Sequence, residues 1–285
     1  MKNDFNLLSA YNEAIRFTRS HYENFPVISF LIPKELYHHV AIIYWFARTA
    51  DDIADEGVLS PVDRIKRLES FEQKLSQLIS GNWSTNLEFA LANTIKEKQL
   101  SPGYFFNLLA AFKQDVIVKR YQSYHELLNY CKKSANPVGR LILELYNIRD
   151  NELQAYSDKI CTALQITNFL QDISIDYEKE RIYIPQEDLS RFAVDGKNFE
   201  KKLINDNFVQ LMEYQIQCTE NLFNDGKQLI KFLPGRLKYE IKWTILGGLE
   251  ILNLIRKNKY DIFNNRPKLD KKRFILLLIK SVLWH

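Results

Sequence analysis

The stretch "VAIIYWFARTADDIADEG", residues 40–57, decides how the rest of the chain is read. An apolar run leads into Asp51, Asp52, Asp55 and Glu56, four acids within six positions. On a helix, residues three or four apart share a face. Tyr44, Arg48, Asp51 and Asp55 therefore form one polar stripe, and Ile42, Ile43, Trp45, Phe46 and Ile53 cover the other sides. Asp52 is turned about 100° off the stripe and reads as peripheral. A helix that is apolar round most of its circumference belongs inside a large bundle.

A second stripe of the same kind lies in "LQITNFLQDISIDYEKER", residues 164–181. Gln165, Asn168, Asp172 and Asp176 share a face, and Leu164, Ile166, Phe169, Leu170 and Ile173 flank it. Solvent faces of helices usually mix Lys with Glu, but these stripes carry Tyr, Arg, Gln, Asn and Asp and no lysine before Lys179. Short, rigid polar groups suit an organised site. Two carboxylates about 4 Å apart repel by roughly 4 kcal/mol at an effective dielectric of about 20. Facing pairs would need cations. Oxygen-only ligands select hard ions, magnesium above all, with positions left for water and phosphate. Arginines such as Arg48 and Arg181 would take the remaining phosphate charge.

The surrounding pattern is helical almost throughout. Helices are expected near 6–22, 34–56, 62–80, 84–98, 103–119, 124–148, 152–178, 198–231, 235–257 and 270–283. Pro33, Ser60-Pro61 and Ser101-Pro102 supply start signals. "RIYIP", residues 181–185, reads as an extended loop, because a residue before proline avoids the helical region. Strand-type alternation is scarce. Nothing among 285 residues reads as linker, repeat or low-complexity tract. The expectation is a single all-α domain over residues 1–285, a helical bundle with a central cavity.

Composition narrows the function. A net charge of +4 is too small to argue for nucleic acid. Cys131, Cys161 and Cys218 are scattered and odd in number, which reads as reduced, buried thiols in the cytoplasm and not as a disulfide framework or zinc site. The first residues lack an apolar signal core, and no apolar run is long enough to span a bilayer. "KKRFILLLIKSVLWH", residues 271–285, is basic and then apolar, and suits either the core or a membrane surface. A di-iron carboxylate bundle would need two Glu-x-x-His motifs, and only Glu35 to His38 fits.

At these residues the sequence resembles the squalene/phytoene synthase family of isoprenyl diphosphate enzymes. The resemblance rests on "DDIAD", residues 51–55, and "NFLQDISID", residues 168–176, separated by about 120 residues, and it runs from about Asn24 to Arg266. Within the family the chain is most similar to hydroxysqualene synthases of bacterial hopanoid pathways. That likeness is carried by residues 24–57 and by "YCKKSANPVGRLIL", residues 130–143, where other branches usually have a Val-Ala-Gly type stretch. The resemblance implies an isoprenoid synthase fold and magnesium held by Asp51, Asp55, Asn168, Asp172 and Asp176. It implies presqualene diphosphate as substrate, ionised and captured by water to give hydroxysqualene. Tyr44 and Asn168 join the catalytic set. Arg48, Arg181, Tyr183, Gln165, Ser29, Phe30, Tyr130 and Asn136 are the substrate-binding expectations. The alternative within the family is head-to-head condensation of two farnesyl diphosphates to presqualene diphosphate, squalene or dehydrosqualene. A rival of another class is an inert helical protein that binds isoprenoids or assembles partners. The remaining expectations are a cytoplasmic location with peripheral contact at the inner membrane face, and association with other enzymes of the squalene pathway.

The departed cation must be shielded by apolar and aromatic walls, for which Phe25, Phe30, Tyr44, Phe169 and Tyr130 are candidates that serve equally well as core. Pro137 has two readings. A kink would free the Lys133 carbonyl and aim Asn136 at the cation, whereas a break between two helices would do neither.

Overall fold

The computed structural model describes residues 6–20 and 31–284, and they are helical with no sheet. In order the helices are α1 (Leu7–Ser20), α2 (Tyr37–Asp55), α3 (Pro61–Ile79), α4 (Asn86–Glu97), α5 (Pro102–Ile117), α6 (Tyr124–Ser134) and α7 (Asn136–Leu145). They continue with α8 (Asn151–Gln171), α9 (Ile173–Glu178), α10 (Gln186–Arg191), α11 (Gly196–Glu200), α12 (Asp206–Gly226), α13 (Leu237–Lys257) and α14 (Lys271–Leu283). The chain forms two compact units, one of Met1–Ile117 with Pro137–Gln154 and one of Val118–Asn136 with Ala155–His285.

In the first unit α2 is the central helix, packed on α1, α3, α4 and α5. Val40, Ala41, Ile42, Ile43, Phe46, Ala50 and Ala54 are all buried, as a helix apolar on several sides requires. Phe46 stacks on Phe71 of α3 with centroids 5.1 Å apart and meets Phe105 of α5 edge-on at 5.2 Å. Truncating such a ring costs about 3–5 kcal/mol. The start signals act in different ways. Ser60 caps α3 by accepting from the Asp63 N–H, with Pro61 in the first turn. Ser101 precedes α5, but its N–H and hydroxyl both donate to the buried Glu144 carboxylate of α7. There the cap is tertiary.

In the second unit α8, α12 and α13 approach through glycines. A Cβ on Gly226 would lie 2.6 Å from Ile160 Cγ1, and one on Gly248 would lie 2.5 Å from the Phe223 ring. Helix α14 packs on α13.

Four helix boundaries differ from the sequence expectation. The helix expected over 124–148 is two, α6 and α7, with Ala135 between them. Pro137 sits in the first turn of α7, where its missing N–H leaves no bond unmade, so the break is correct and the kink is not. The helix expected over 152–178 is interrupted at Asp172, whose φ of −107° and ψ of 15° leave the helical range. The helix expected over 198–231 is α11 and α12, because the Asn205 side chain caps a new start by accepting from Phe208 N–H. Helix α10, six residues after Pro185, falls outside every expected helix, because so short a segment carries no periodic signal. The extended 181–185 segment is confirmed. Ile182 N–H donates to Lys119 O at 3.1 Å, and Arg120 and Ile182 form a parallel bridge.

The three cysteines are free, but only Cys131 is buried, so the fully buried reading fails for Cys161 and Cys218.

Candidate active site

The first acidic motif occupies the end of α2. Arg48, one helical turn earlier, reaches three carboxylates. Its Nη1 is 3.4 Å from Asp51, its Nε 2.7 Å from Asp52 and its Nη2 2.5 Å from Glu56. Burial works against the arginine's charge, but Asp51, Asp52 and Glu56 outweigh it and raise its pKa. Asp52 is therefore not peripheral. Its carboxylate lies closer to Arg48 than that of Asp51 does. The helix is stopped by Gly57 at φ +74°, and Arg64 of α3 collects the carbonyls of Ile53, Glu56 and Gly57. Two arginines thus fix the motif, one on its acids and one on its carbonyls. Tyr44 is half-buried on the same helix, its ring centroid 6.3 Å from that of Phe17.

The second motif spans the junction of α8 and α9. Asn168 is exposed, Gln165 and Asp176 are half-buried, and Asp172 is the junction residue. Arg266, from the segment between α13 and α14, grips Asp172 with Nε on Oδ1 and Nη2 on Oδ2, the latter at 3.0 Å. Next to it the Gln171 amide donates to Pro267 O at 2.5 Å. Two residues after α9, Glu180 at φ +61° turns the chain so that Arg181 N–H reaches Asp176 O at 2.8 Å. That turn places Arg181 in a buried position, 7% exposed.

Beside the second motif lies an aromatic cluster. Tyr183 stacks on Phe169 with centroids 3.7 Å apart and planes at 6°. Tyr130 lies 6.0 Å from Tyr183 and 6.1 Å from Phe169, and Tyr121 lies 5.5 Å from Tyr130. All four are buried. Asn136 is also buried, and its amide oxygen accepts from the Thr162 hydroxyl of α8 at 2.9 Å.

The structure thus groups Arg48 with Asp51 in the first unit, and Tyr130 with Phe169 and Tyr183 in the second. Ser29, Phe30 and Phe25 lie outside the described residues. Sequence reasoning missed Arg266, Glu56 and Tyr121 as site residues. Glu56 was legible as i+8 from Arg48 once α2 ended in a tight turn. Arg266 lies 94 positions from its partner, and its one signal was a lone Arg-Pro in a polar loop.

Among the described residues no three carboxylate, histidine or cysteine side chains are gathered to hold a metal ion, so the case for magnesium rests on the type of donor that each motif offers. Neither residues 44–57 nor 164–181 contain His or Cys, so every donor is a hard oxygen. Asp51 and Asp172 keep 42% and 24% of their side-chain exposure, and their present counter-charges are guanidinium groups.

The squalene/phytoene synthase family model matches residues 18–273. The hydroxysqualene synthase of Sinorhizobium fredii is 30% identical over 237 residues, 82% of this chain and 80% of its own. The 15-cis-phytoene synthase of Synechococcus elongatus is 25% identical over 276 residues, 91% of this chain and 88% of its own. A crystal structure of squalene synthase HpnC from Alicyclobacillus acidocaldarius superposes with a TM-score of 0.84 at 34% identity, covering 89% of this chain and 95% of that one. The all-α architecture is that of the squalene synthase fold. With most of its length matched, the chain belongs to the squalene/phytoene synthase family of isoprenoid synthases.

Proposed function

We propose that the protein ionises presqualene diphosphate in a magnesium-dependent reaction and that water captures the rearranged cation to give hydroxysqualene. One observation carries this reading. At the junction of α8 and α9 the exposed Asn168 and the junction residue Asp172 lie close in sequence to Phe169, which is buried with its face stacked on Tyr183. Polar groups suited to an anion and aromatic rings suited to a carbocation therefore meet at one junction of the chain. The 30% identity to a hydroxysqualene synthase supports the choice of reaction.

In this reading Asp51, Asp55, Asn168, Asp172 and Asp176 would hold magnesium. Bound magnesium supplies Lewis-acid stabilisation of the leaving group. Arg48 and Arg181 take up the diphosphate charge as the C–O bond breaks, the electron pair leaving with the anion. Tyr44 and Gln165 orient the head group. Tyr130, Phe169 and Tyr183 shield the cation until water adds and its proton passes to solvent. Asn136, whose amide oxygen accepts from Thr162 of α8, completes the substrate-binding residues of this reading.

The test is mass-spectrometric product analysis with presqualene diphosphate, with magnesium and with a chelator. Hydroxysqualene formed only with magnesium is the expected result. The phytoene synthase relative favours a second reading, the condensation of two farnesyl diphosphates. Turnover of farnesyl diphosphate alone to a C30 product would establish it and remove the first. Asp51→Asn and Asp172→Asn variants that turn over substrate like the parent would remove both.

A further inference from the structure

We propose that helix α14 docks the protein onto a membrane surface bearing anionic phospholipid. The helix is fixed in place by its inner side. Leu277 and Ser281 are buried, the Trp243 indole N–H donates to Phe274 O at 3.1 Å, and the Phe274 and Trp243 rings lie 4.3 Å apart. Asp270 caps its start by accepting from Arg273 N–H at 2.7 Å. At its other end the buried Lys242 ammonium donates to Trp284 O, a cation placed at a helix C-terminus.

The outer side is apolar. Ile275, Leu276, Ile279, Val282 and Leu283 are 58%, 50%, 51%, 54% and 67% exposed. Their offsets of 0, 1, 4, 7 and 8 place them on a single stripe. Scattered exposed apolar residues need no explanation, but a contiguous stripe of five large ones does. Lys272 lies on the same face at its upstream end. Lys271 and Lys280 fall on its two opposite edges, from which long side chains reach outward to phosphate groups. Residues 271–284 contain no Asp or Glu.

Charge complementarity chooses the occupant. An apolar stripe rimmed by lysine on both sides matches an acyl boundary beneath anionic head groups. A second copy would bring lysine rim against lysine rim. The helix is too short to span: thirteen residues reach about 20 Å against about 30 Å of hydrocarbon. Among the described residues, no helix is long and apolar enough to cross a membrane. The helix therefore lies in the plane of the surface.

The experiment is vesicle co-sedimentation of the full chain, with phosphatidylcholine vesicles and with vesicles also containing phosphatidylglycerol. The protein should partition onto the anionic vesicles roughly a hundredfold more strongly than onto the neutral ones, at about fivefold per lysine, and less so as salt rises. Ile279→Glu with Leu283→Glu should reduce binding to background, with helix content by circular dichroism unchanged. Lys271→Gln, Lys272→Gln and Lys280→Gln together should erase the preference for anionic lipid. Wild-type protein that stays in the supernatant, or that binds both vesicles equally at all salt concentrations, overturns the proposal. So does a wild-type dimer, seen by light scattering, that the double variant converts to a monomer while neither form binds vesicles. The readout is independent of catalytic activity.

Discussion

Arg266 holds Asp172 by both carboxylate oxygens, across 94 positions of sequence. The pair is what gives the second acidic motif its break. Asp172 leaves the helical line where the arginine and the neighbouring Gln171–Pro267 contact fasten it to the segment before α14. A bidentate charge-assisted pair, about three-quarters buried, is worth more than an exposed one. Arg266→Ala should therefore lower stability by about 1–2 kcal/mol. A double-mutant cycle with Asp172→Asn in urea denaturation should return a coupling energy on the order of 1 kcal/mol. Additive effects would show the contact to be energetically idle.

His39 gives the protein a pH dependence. It is 1% exposed, bonded through Nδ1 to Thr94 Oγ1 at 2.9 Å. Burial, and then the adjacent His38, push its pKa down to about 4, against the pull of Glu97. At pH 7 the imidazole is neutral, so its 3.4 Å approach to Glu97 is a polar contact and not an ion pair. Unfolded, the same group takes a proton near its ordinary value of about 6.5. Between those values the unfolded chain binds more protons, so stability is full above pH about 6.5 and falls as pH drops toward 4. The loss should amount to about 3 kcal/mol. Denaturation midpoints across this range should show it, and His39→Gln should flatten the slope. An unchanged slope in the variant would assign the effect elsewhere.

Glu180 carries a left-handed backbone at φ +61° in the turn that ends α9. Only glycine adopts that region without cost, and the contact Arg120 makes there is to the Glu180 backbone carbonyl. Glu180→Gly should raise stability by about 0.5–1 kcal/mol with activity unchanged. A lower melting temperature would mean that the Glu180 side chain contributes something its geometry does not reveal.

Two glycine-to-alanine changes should have opposite signs. Gly103, in the first turn of α5, has nothing within 4 Å of a new Cβ, and Gly103→Ala should gain about 0.4–1 kcal/mol. Gly248 has the Phe223 ring at 2.5 Å and Leu164 Cδ2 at 3.2 Å, and Gly248→Ala should lose about 1–3 kcal/mol. Thermal melts of the two variants side by side check both. A neutral Gly248→Ala would mean that α12 and α13 are looser than their contact distance indicates.

Local chemistry was legible in the sequence wherever one helix face held it. The α2 stripe put Arg48 beside Asp51, and the second stripe put the buried Phe169 on its apolar flank, both from spacing alone. Ser60 announced α3 because its cap is local. What stayed hidden depended on distant partners. Ser101 is capped by Glu144 and not by its own hydroxyl. Asp172 breaks its helix because Arg266 and Pro267 fasten it. Asn205 starts a helix inside a stretch whose apolar period runs on unbroken. Periodicity reports which residues share a face, but not where a tertiary contact ends the element.

The arginines on the acidic motifs have a consequence for the protein at rest. With Arg48 seated among Asp51, Asp52 and Glu56, and Arg266 on Asp172, neither cluster depends on a divalent ion to relieve its own repulsion. The charge balance of each motif is thus written into the chain itself, through side chains that also fix the local backbone.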